Sequence, residues 1–343
     1  MNGKKIIVTG GAGFIGSALT EQLLQTGCKV VCVDNFSTGR RENIAGFLAH
    51  PDYTLIEGDI CDTDLMKEAC SGADYVLHEA ALGSVPRSIA HPEASYQANI
   101  TGTASVFHAA ALCGVKRIVF ASSSSVYGDS TELPKREDRT GNALSPYALT
   151  KKVCEQTALL FKDLYNTEIV GLRYFNVFGR RQNPAGAYAA VIPRFMDALL
   201  RKTSPVIYGD GTNSRDFTYI DDVVQANLSA LTAPGINGMM FNVASARAIT
   251  LQDIFCTIRE ALAEQDPEIR KIQPEFAPPR TGDIPHSLAD ISKAEQFLGY
   301  RVQFSFEEAI RRTAGWYAEN SSILTKSDLQ YAESVLYYFR NIP

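Results

Sequence analysis

Short apolar runs alternate with longer segments of helical period in the first half of the chain. The runs are rich in Val and Ile and do not alternate with polar residues, which is typical of parallel strands buried on both faces. The predicted strands are Lys5 to Thr9, Lys29 to Asp34, Tyr53 to Glu57, Asp74 to His78, Arg117 to Ser122 and Glu168 to Arg173. Helices are predicted near 14–26, 63–70, 92–112 and 147–164. This order predicts an α/β fold with a doubly wound parallel sheet.

After residue 175 the rhythm changes. Gly, Pro, Arg and Asn accumulate in 179–187, in Gly209 to Arg215 and in Pro278 to Asp283, between shorter elements. Loops of this kind usually carry ligand contacts. We expect a first domain over residues 1–175 and a smaller C-terminal α/β cap over 176–343. The cap would bind substrate and share a cleft with the first domain, with some segments returning to the first sheet.

Composition narrows the class of protein. Of 343 residues, 45% are hydrophobic and 21% charged, which is ordinary for a globular chain and excludes a disordered or collagen-like one. The net charge of -5, without a basic block, argues against nucleic-acid and membrane-surface partners. The apolar stretch Ile6 to Val8 is too short for a signal peptide or a membrane span. Seven cysteines without a C-x-x-C pair and five histidines without helical pairing predict a cytoplasmic protein with reduced thiols and no metal site.

A glycine cluster, Gly10 to Gly16 (GGAGFIG), follows the first strand and opens a helix. Glycines there permit a tight turn and let a pyrophosphate approach bare N–H groups at a helix N-terminus. Asp34 ends the second strand, where a carboxylate bonds ribose hydroxyls and repels a 2′-phosphate. A Rossmann-type domain that binds NAD is therefore predicted, although Arg40 and Arg41 lie nearby. Asp59, after the third strand, is either an adenine contact or an ordinary helix cap.

A tyrosine and a lysine share one face of the fourth predicted helix. Ser145 is a good N-cap and Pro146 suits the first helical position, so Tyr147 and Lys151 stand at i and i+4. An ammonium ~4 Å from a phenol, at an effective dielectric of ~20, favours the phenolate by ~4 kcal/mol, or roughly three pKa units. That shift suits a tyrosine to proton transfer. The run Ser122 to Ser125 follows an apolar strand, so its hydroxyls emerge where ligands bind in this architecture.

These motifs together resemble the extended short-chain dehydrogenase/reductase superfamily and, within it, the nucleotide-sugar epimerases. The matching segments are Thr9 to Gly16, Ser123 to Gly128, Tyr147 to Lys151, Arg173 to Gly179 and Gly209 to Phe217, and the resemblance spans residues 4 to about 318. It implies a catalytic triad of Ser123, Tyr147 and Lys151. Tyr147 would exchange the proton of the sugar 4-hydroxyl while a tightly bound NAD takes the C4 hydride. The 4-keto sugar would then turn over and regain the hydride on its other face.

The resemblance also implies the binding residues. Its cofactor contacts fall on Gly10, Gly13, Phe14, Ile15, Gly16, Asp34, Asn35, Asp59, Ile60, Ala80, Ala81, Asn99, Tyr147, Lys151 and Tyr174. Its substrate contacts fall on Ser84, Arg87, Ser124, Ser125, Asn176, Ala190, Val191, Tyr208, Arg215, Arg280, Asp283 and Ser287. Asn176 would bond the diphosphate, the two arginines of the second half would pair with it, and Asp283 would hold the uridine ribose. Arginine forks match phosphate geometry.

Two features narrow the sugar. Ala81 to Ser88 and Arg180 to Val191 look like the branch that acts on N-acetylated UDP-hexosamines. Ser287 stands where glucose/galactose-only epimerases carry a bulky tyrosine, and a small side chain leaves room for an acetamido group. The resemblance thus implies 4-epimerisation of UDP-N-acetylglucosamine (UDP-GlcNAc) to UDP-N-acetylgalactosamine (UDP-GalNAc), an activity that usually feeds surface polysaccharide biosynthesis.

Alternatives stay open at this point. UDP-N-acetylglucosaminuronic acid is a second substrate, because Ser84, Arg87 and Arg181 would meet a C6 carboxylate, unless these arginines pair with acidic neighbours. Dehydratases and decarboxylases of the superfamily place an acid next to the catalytic hydroxyl, and Ser122 to Ser125 contains none. A dehydrogenase would need added cofactor, and a non-catalytic NAD sensor would not need the triad.

A homodimer is expected from the resemblance. The helices at 92–112 and 147–164 carry apolar residues beyond those that one core face needs, among them Val106, Phe107, Leu160 and Phe161. In the resembled family the equivalent helices form a four-helix dimer interface. The aromatic tail Ser327 to Arg340 lies beyond the family core and would pack on the cap or on a partner chain.

Overall fold

The computed structural model describes residues 1–184, 189–279 and 286–320. The strands are β1 (Lys5–Thr9), β2 (Lys29–Asp34), β3 (Tyr53–Glu57), β4 (Tyr75–His78), β5 (Arg117–Ser123), β6 (Glu168–Tyr174), β7 (Val177–Phe178), β8 (Val206–Tyr208), β9 (Ser214–Asp216), β10 (Thr218–Tyr219), β11 (Met240–Val243), β12 (Ala248–Thr250) and β13 (Glu275–Ala277). The α-helices are α1 (Phe14–Gln25), α2 (Arg41–Ile44), α3 (Thr63–Cys70), α4 (Val85–Ala90), α5 (Pro92–Tyr96), α6 (Gly102–Leu112), α7 (Pro146–Leu164), α8 (Val191–Leu200), α9 (Ile220–Thr232), α10 (Leu251–Ala263), α11 (Ser292–Leu298) and α12 (Phe306–Glu319).

Seven strands form one parallel sheet in the order β11-β6-β5-β4-β1-β2-β3. The six predicted strands all lie in it, within one residue of their predicted ends, and the predicted fold class is confirmed. The order reverses between β1 and β4, so the crevice at the carboxyl ends of these two strands is where ligands bind in such sheets. The seventh strand, β11, was not predicted, because its apolar run is only four residues long and lies far along the chain from its neighbour β6.

Strand and helix side chains pack into a core on both faces of the sheet. Ile6, Ile7 and Val8 of β1 are fully buried, as expected for a central strand that reads as a continuous apolar run. On one face Phe107 of α6 packs edge-on against Phe120 of β5, with ring centroids 5.4 Å apart.

This packing corrects the predicted role of two residues in a dimer face. Val106 and Phe107 are fully buried in the core beneath α3 and α7, so they are closed to a partner chain. Phe161 packs against the same core from α7. Of the four residues named, Leu160 is the exposed one, with 57% of its surface accessible.

The helix that carries Tyr147 begins as predicted. Ser145 is the N-cap of α7, its side chain accepts a hydrogen bond from the Ala148 N–H at 3.1 Å, and Pro146 is the first helical residue. The helix predicted near 92–112 is interrupted, because a π-helical turn over Gln97–Thr101 separates α5 from α6. The other predicted helices match α1 and α3.

The chain divides into two compact units. The first consists of Met1–Val177, Ile220–Ala246 and Leu288–Val302 and holds the seven-stranded sheet. The second consists of the described parts of Phe178–Tyr219, Arg247–Ser287 and Gln303–Pro343. It contains α8, α10 and α12 with the paired strands β9 and β12 and the paired strands β8 and β13. Substrate binding by the second part of the chain stays a prediction.

Within the described ranges, every helix is too short or too polar to cross a membrane.

Candidate active site

The turn between β1 and α1 is a cradle that only glycines fit. Gly10 has a φ of +68°, and a Cβ there would lie 2.7 Å from the Ala80 nitrogen. A Cβ on Gly16 would lie 2.2 Å from the Gly10 carbonyl oxygen, where real contacts do not occur. Because side chains are excluded, the backbone N–H groups at the start of α1 stay open to an anion. This is the geometry that a pyrophosphate requires.

Asp34 closes β2 beside this turn. Its two carboxylate oxygens accept hydrogen bonds from the Ala12 N–H at 2.9 Å and the Phe36 N–H at 2.8 Å. Burial raises the pKa of Asp34 above its usual value, and these two N–H groups oppose the rise. Each oxygen keeps a lone pair for a ribose hydroxyl. The carboxylate is therefore held rigidly in the place that a dinucleotide ribose would occupy.

The two arginines near Asp34 are engaged with carboxylates. Both contacts from Arg41 to Glu57 measure 2.8 Å, and its guanidinium lies 4.2 Å from the centroid of the Phe36 ring. Arg40 pairs with Glu42 at 3.5 Å. One guanidinium nitrogen of Arg40, Nη2, is buried without a hydrogen-bond partner among the described residues. The preference for NAD over NADP therefore rests on Asp34, whose carboxylate repels a 2′-phosphate.

Asp59 is not the cap of the following helix. Asp62 caps α3 by accepting bonds from two N–H groups. The Asp59 carboxylate instead accepts from the Cys61 N–H at 2.8 Å and from the Asn35 side chain at 3.0 Å. The Cys61 bond, opposed by partial burial and helped by Asn35, lowers the pKa of Asp59.

A cavity of about 430 Å³ lies along the carboxyl ends of the sheet strands, within the first unit. The predicted residues that line it are Gly10, Gly13, Phe14, Ile15, Gly16, Asp34, Asn35, Asp59, Ile60, Ala80, Ala81, Ser123, Tyr147, Lys151, Tyr174 and Asn176. The structure thus brings together residues from six different strand ends and two helices. Glu79 also lines the cavity, and the sequence analysis missed it. The sequence did contain a signal for it, because Glu79 directly follows β4 and so lies at the same edge of the sheet as the predicted residues.

The three predicted catalytic residues open onto this cavity. Ser123 is the last residue of β5, and its hydroxyl accepts a hydrogen bond from the Ser125 N–H at 3.1 Å. The Lys151 ammonium donates to the Ala121 carbonyl at 2.7 Å and lies 5.9 Å from the centroid of the Tyr147 ring. The strand backbone therefore fixes the lysine beside the tyrosine, as the helical spacing predicted.

A buried ion pair lies behind the serine and the lysine. Glu155, one turn after Lys151 on α7, accepts two hydrogen bonds from Arg173 at 2.8 Å each. It also accepts the Ser122 hydroxyl at 2.5 Å. The pair is almost inaccessible to solvent, with side-chain exposures of 4% and 9%. It joins β5, β6 and α7 at the point where each contributes a residue to the cavity.

Asn99 is buried behind the cavity wall. Its side chain bonds both the N–H and the carbonyl of Leu82, at 2.8 and 3.2 Å, and donates to the Thr150 hydroxyl at 3.1 Å. These bonds hold the segment that follows β4. A direct contact between Asn99 and the cofactor stays a prediction.

Several predicted substrate residues lie on elements next to the cavity. Ser84 caps α4 by accepting the Arg87 N–H at 3.2 Å. Ser124 and Ser125 form a 3-10 turn after β5, and the Ser125 hydroxyl is buried without a hydrogen-bond partner among the described residues. Asn176 has a φ of +32°. Their contacts with a sugar nucleotide stay predictions.

The second unit holds the remaining predicted substrate residues. Arg215 donates to the Ser214 carbonyl at 2.9 Å, and the Ser287 N–H donates to the same carbonyl at 3.1 Å, so these two predicted residues are neighbours. Tyr208 ends β8, and Ala190 and Val191 begin α8. Arg280, Asp283 and the tail Ser327 to Arg340 lie outside the described residues.

Within residues 1–184, 189–279 and 286–320, no group of three or more His, Cys, Asp or Glu side chains is arranged to hold a metal ion. The donors present instead fit a dinucleotide. A glycine cradle suits the pyrophosphate, Asp34 suits a ribose, and the end of the cavity with Tyr147 and Lys151 suits the nicotinamide half.

The sheet order and the contents of its crevice define the class of protein, a dinucleotide-dependent enzyme of the Rossmann type. The model of the NAD dependent epimerase/dehydratase family matches residues 6–244, and the chain belongs to this family. The predicted family and its NAD cofactor are thereby confirmed.

Three relatives illustrate the range of similar proteins. One is a UDP-N-acetylglucosamine 4-epimerase from Methanobrevibacter ruminantium, whose structure was solved in complex with UDP-N-acetylmuramic acid. Its sequence is 39% identical and its structure has a TM-score of 0.87, over 93% of this chain and 100% of that one. The UDP-glucose 4-epimerase of Mycolicibacterium smegmatis is 35% identical over 92% of this chain and 99% of its own. The UDP-glucuronic acid 4-epimerase of Bacillus cereus, solved with UDP-glucuronic acid and NAD, is 30% identical with a TM-score of 0.82, covering 92% and 99%.

Proposed function

We propose that this protein is an NAD-dependent C4 epimerase that interconverts UDP-GlcNAc and UDP-GalNAc through a 4-keto intermediate. The observation that carries the proposal is the shared cavity, which is lined both by Ser123, Tyr147 and Lys151 and by the glycine cradle. Bound NAD supplies the group that accepts and returns the C4 hydride.

The side chains at the cavity end perform the proton chemistry. Tyr147 accepts the proton of the sugar 4-hydroxyl and later gives it back to the same oxygen on the inverted carbon. Ser123 holds the 4-oxygen from the strand side. Lys151 lies near the Tyr147 ring and is held there by its hydrogen bond to the Ala121 carbonyl.

Epimerisation is favoured over elimination or decarboxylation because the serine run at the end of β5 holds no carboxylate. Dehydratases and decarboxylases of the superfamily place an acid next to the catalytic hydroxyl. Ser122 to Ser125 offers hydroxyls alone, and the nearby Glu155 is committed to Arg173 and to the Ser122 hydroxyl. Glu155 is also not among the residues that line the cavity.

The N-acetylated substrate is supported by two observations. Ser287 is small and lies next to Arg215 through the shared Ser214 carbonyl, which suits a gate beside a diphosphate contact. The 39% identical relative from Methanobrevibacter ruminantium is a UDP-N-acetylglucosamine 4-epimerase. The relatives that act on UDP-glucose and UDP-glucuronic acid keep the family chemistry with other sugars.

Proton NMR of the purified protein with UDP-GlcNAc, without added cofactor, tests the proposal directly. Formation of UDP-GalNAc would establish the reaction and a retained NAD together. If protein that carries NAD leaves UDP-GlcNAc unchanged but epimerises UDP-N-acetylglucosaminuronic acid, the uronate is the substrate. Turnover that depends on added NAD or NADH would indicate a dehydrogenase.

Two variants separate the chemistry from the choice of sugar. Tyr147→Phe should lower turnover by about 10²- to 10⁴-fold, because the phenol oxygen carries the proton. NAD should stay bound, because Tyr147 is one of many residues that line the cofactor cavity. Ser287→Tyr should exclude the acetylated sugar nucleotides and spare UDP-glucose. Equal losses on acetylated and plain hexoses would count against Ser287 as the gate.

We also propose that the protein is a homodimer formed through α7. On this helix Leu149, Leu160 and Leu164 are 43%, 57% and 65% exposed, which is unusual for large apolar side chains on one helix. Sedimentation velocity of the wild type and of Leu160→Arg tests this. A wild-type monomer would contradict the proposal.

A further inference from the structure

Glu79 is an acid in the cavity wall that the proposed chemistry leaves unused. It follows β4, and its backbone N–H donates to the Thr9 carbonyl at 3.1 Å, which fixes it at the edge of the central strands. Its side chain points away from the neighbouring His78, which is buried on the opposite face against Thr9 and Thr103. Glu79 therefore belongs to the cofactor side of the sheet.

A chain of hydrogen bonds orients one oxygen of Glu79. The Asn227 side chain donates to the Tyr174 hydroxyl at 2.9 Å, and this hydroxyl donates to Oε1 of Glu79 at 2.9 Å. Asn227 is anchored in turn by donating to the Val223 carbonyl of α9 at 2.9 Å. The tyrosine hydroxyl has one proton, and Oε1 of Glu79 at 2.9 Å is a nearer acceptor for it than the Asn227 amide oxygen at 3.2 Å.

The other oxygen of Glu79, Oε2, is buried and has no hydrogen-bond partner among the described residues. A bare, buried carboxylate oxygen is costly, and a neutral carboxylic acid in the same place costs far less. Burial raises the pKa of Glu79 to about 7, against the smaller opposing effects of the Tyr174 hydrogen bond and the Lys151 charge. The group is therefore poised to change its charge near neutral pH.

The charges that face Glu79 come from few elements. The Lys151 ammonium approaches from α7 and favours the ionised form, and the Tyr174 hydroxyl from β6 does the same by donating a hydrogen bond. Asn227 of α9 is neutral. His78 is held neutral by burial, which lowers its pKa to about 3. One further positive charge in the cavity would therefore decide whether Glu79 keeps its proton.

We propose that Glu79 is a charge-balancing residue of the cofactor site, whose carboxylate takes up a proton when the bound dinucleotide is reduced and releases it on reoxidation. An oxidised nicotinamide ring is positively charged and a reduced one is neutral, so its reduction removes the charge that holds Glu79 ionised. In the epimerase half-reaction the sugar loses an electron pair with the C4 hydrogen and a proton from the hydroxyl. The electron pair would pass to the dinucleotide together with that hydrogen, and Tyr147 would take the hydroxyl proton. The proton that Glu79 takes up is a separate one from the solvent, so the site as a whole gains one proton.

The inference rests on the proposed function only through the bound dinucleotide. It predicts that the reduction equilibrium of the cofactor in the holoenzyme depends on pH more steeply than the reduction alone requires. Each proton taken up changes that equilibrium by about tenfold per pH unit. If Glu79 takes up a proton when the cofactor is reduced, two protons are taken up near neutral pH, and the reduction equilibrium should change by about a hundredfold per pH unit there. At higher and lower pH it should change by about tenfold per pH unit.

Potentiometric titration of the wild-type holoenzyme and Glu79→Gln, followed by the near-ultraviolet absorbance of the reduced cofactor, tests this without any sugar. Glutamine has the same shape and no charge to change, so Glu79→Gln should show about tenfold per pH unit throughout. Glu68→Gln, an exposed carboxylate on α3, is the matched control and should follow the wild type. Tyr174→Phe keeps Glu79 but removes its donor, so the steep range should move to higher pH.

A slope of about tenfold in the wild type at every pH, or a steep range that persists in Glu79→Gln, would overturn the proposal. Because no sugar takes part, these outcomes are independent of whether UDP-GlcNAc is the substrate. A second readout is the redox-difference infrared spectrum of the holoenzyme. A protonated-carboxyl band that appears on reduction in the wild type and is missing in Glu79→Gln would support the assignment, and the same band in both proteins would refute it.

Discussion

Glu155→Gln should destabilise the first unit by about 3–5 kcal/mol, which is typical when one partner of a buried ion pair is removed. The wild-type carboxylate makes two bonds of 2.8 Å to Arg173, whose side chain is 4% exposed. Glutamine fits the space, but it leaves the buried guanidinium without its paired carboxylate. Its amide also keeps a single acceptor oxygen for the three donors that the carboxylate serves, which include the Ser122 hydroxyl.

A surface pair provides the matched control. Glu308 accepts from Arg312 at 2.8 Å, one turn apart on α12, but these side chains are 45% and 51% exposed. Exposed pairs of this kind contribute about 0.3–0.5 kcal/mol, so Glu308→Gln should barely shift the unfolding midpoint. Equal distances with unequal burial thus predict costs that differ by nearly tenfold.

Urea unfolding followed by far-ultraviolet circular dichroism is the suitable assay. The single tryptophan, Trp316, lies on α12 in the second unit, so its fluorescence would report the wrong part of the chain. The double variant Glu155→Gln with Arg173→Gln should recover much of the loss, because it removes the stranded charge. A cost below about 1 kcal/mol for Glu155→Gln, or one no greater than that of Glu308→Gln, would refute the reasoning.

Two further outcomes follow from the cofactor site. Gly16→Ala should yield protein without bound NAD, because the new Cβ would lie 2.2 Å from the Gly10 carbonyl oxygen. Gly46→Ala is the control and should keep its NAD, because a Cβ there meets open space. The NAD released on denaturation measures both variants, and a full NAD content in Gly16→Ala would contradict the role of the glycine cradle. In the wild type, the folded-state pKa of Glu79 is raised to about 7, so the protonated acid stabilises the fold at acid pH and this stabilisation is lost as the pH rises from about 4.5 to about 7. Glu79→Gln has no such group, so it should gain stability relative to the wild type over that range. The expected swing is about 3 kcal/mol in the free energy of unfolding, and an equal difference between the two proteins at pH 5 and pH 8 would contradict it.

Much of the fold was predictable because its determinants are local. Six strands read as uninterrupted apolar runs, and the start of α7 followed from the preferences of Ser145 and Pro146. Helical spacing placed Tyr147 and Lys151 together, and the rule that ligands bind at the carboxyl ends of parallel strands brought Ser123 to them.

What escaped prediction depends on contacts between distant parts of the chain. The sequence does not distinguish an apolar helix residue that packs in the core from one that contacts a partner chain. Only the packing of α6 against its neighbours shows that Val106 and Phe107 are buried. The edge strand β11 is short, and it is recognised as a strand mainly by its pairing with β6.

Glu79 shows how far the local rule extends. Glu79 follows β4 in the same sheet, so it lies at the same ligand-binding edge as Ser123. The rule gives position but not protonation. Burial raises the pKa of Glu79 towards neutrality, against the opposing hydrogen bond from Tyr174, a residue 95 positions away. Neither the burial nor this contact is visible until β4 and β6 are seen on either side of β5. The proposed function of Glu79 depends on its buried environment and on the positive charge that comes and goes beside it, and not on its being a glutamate alone.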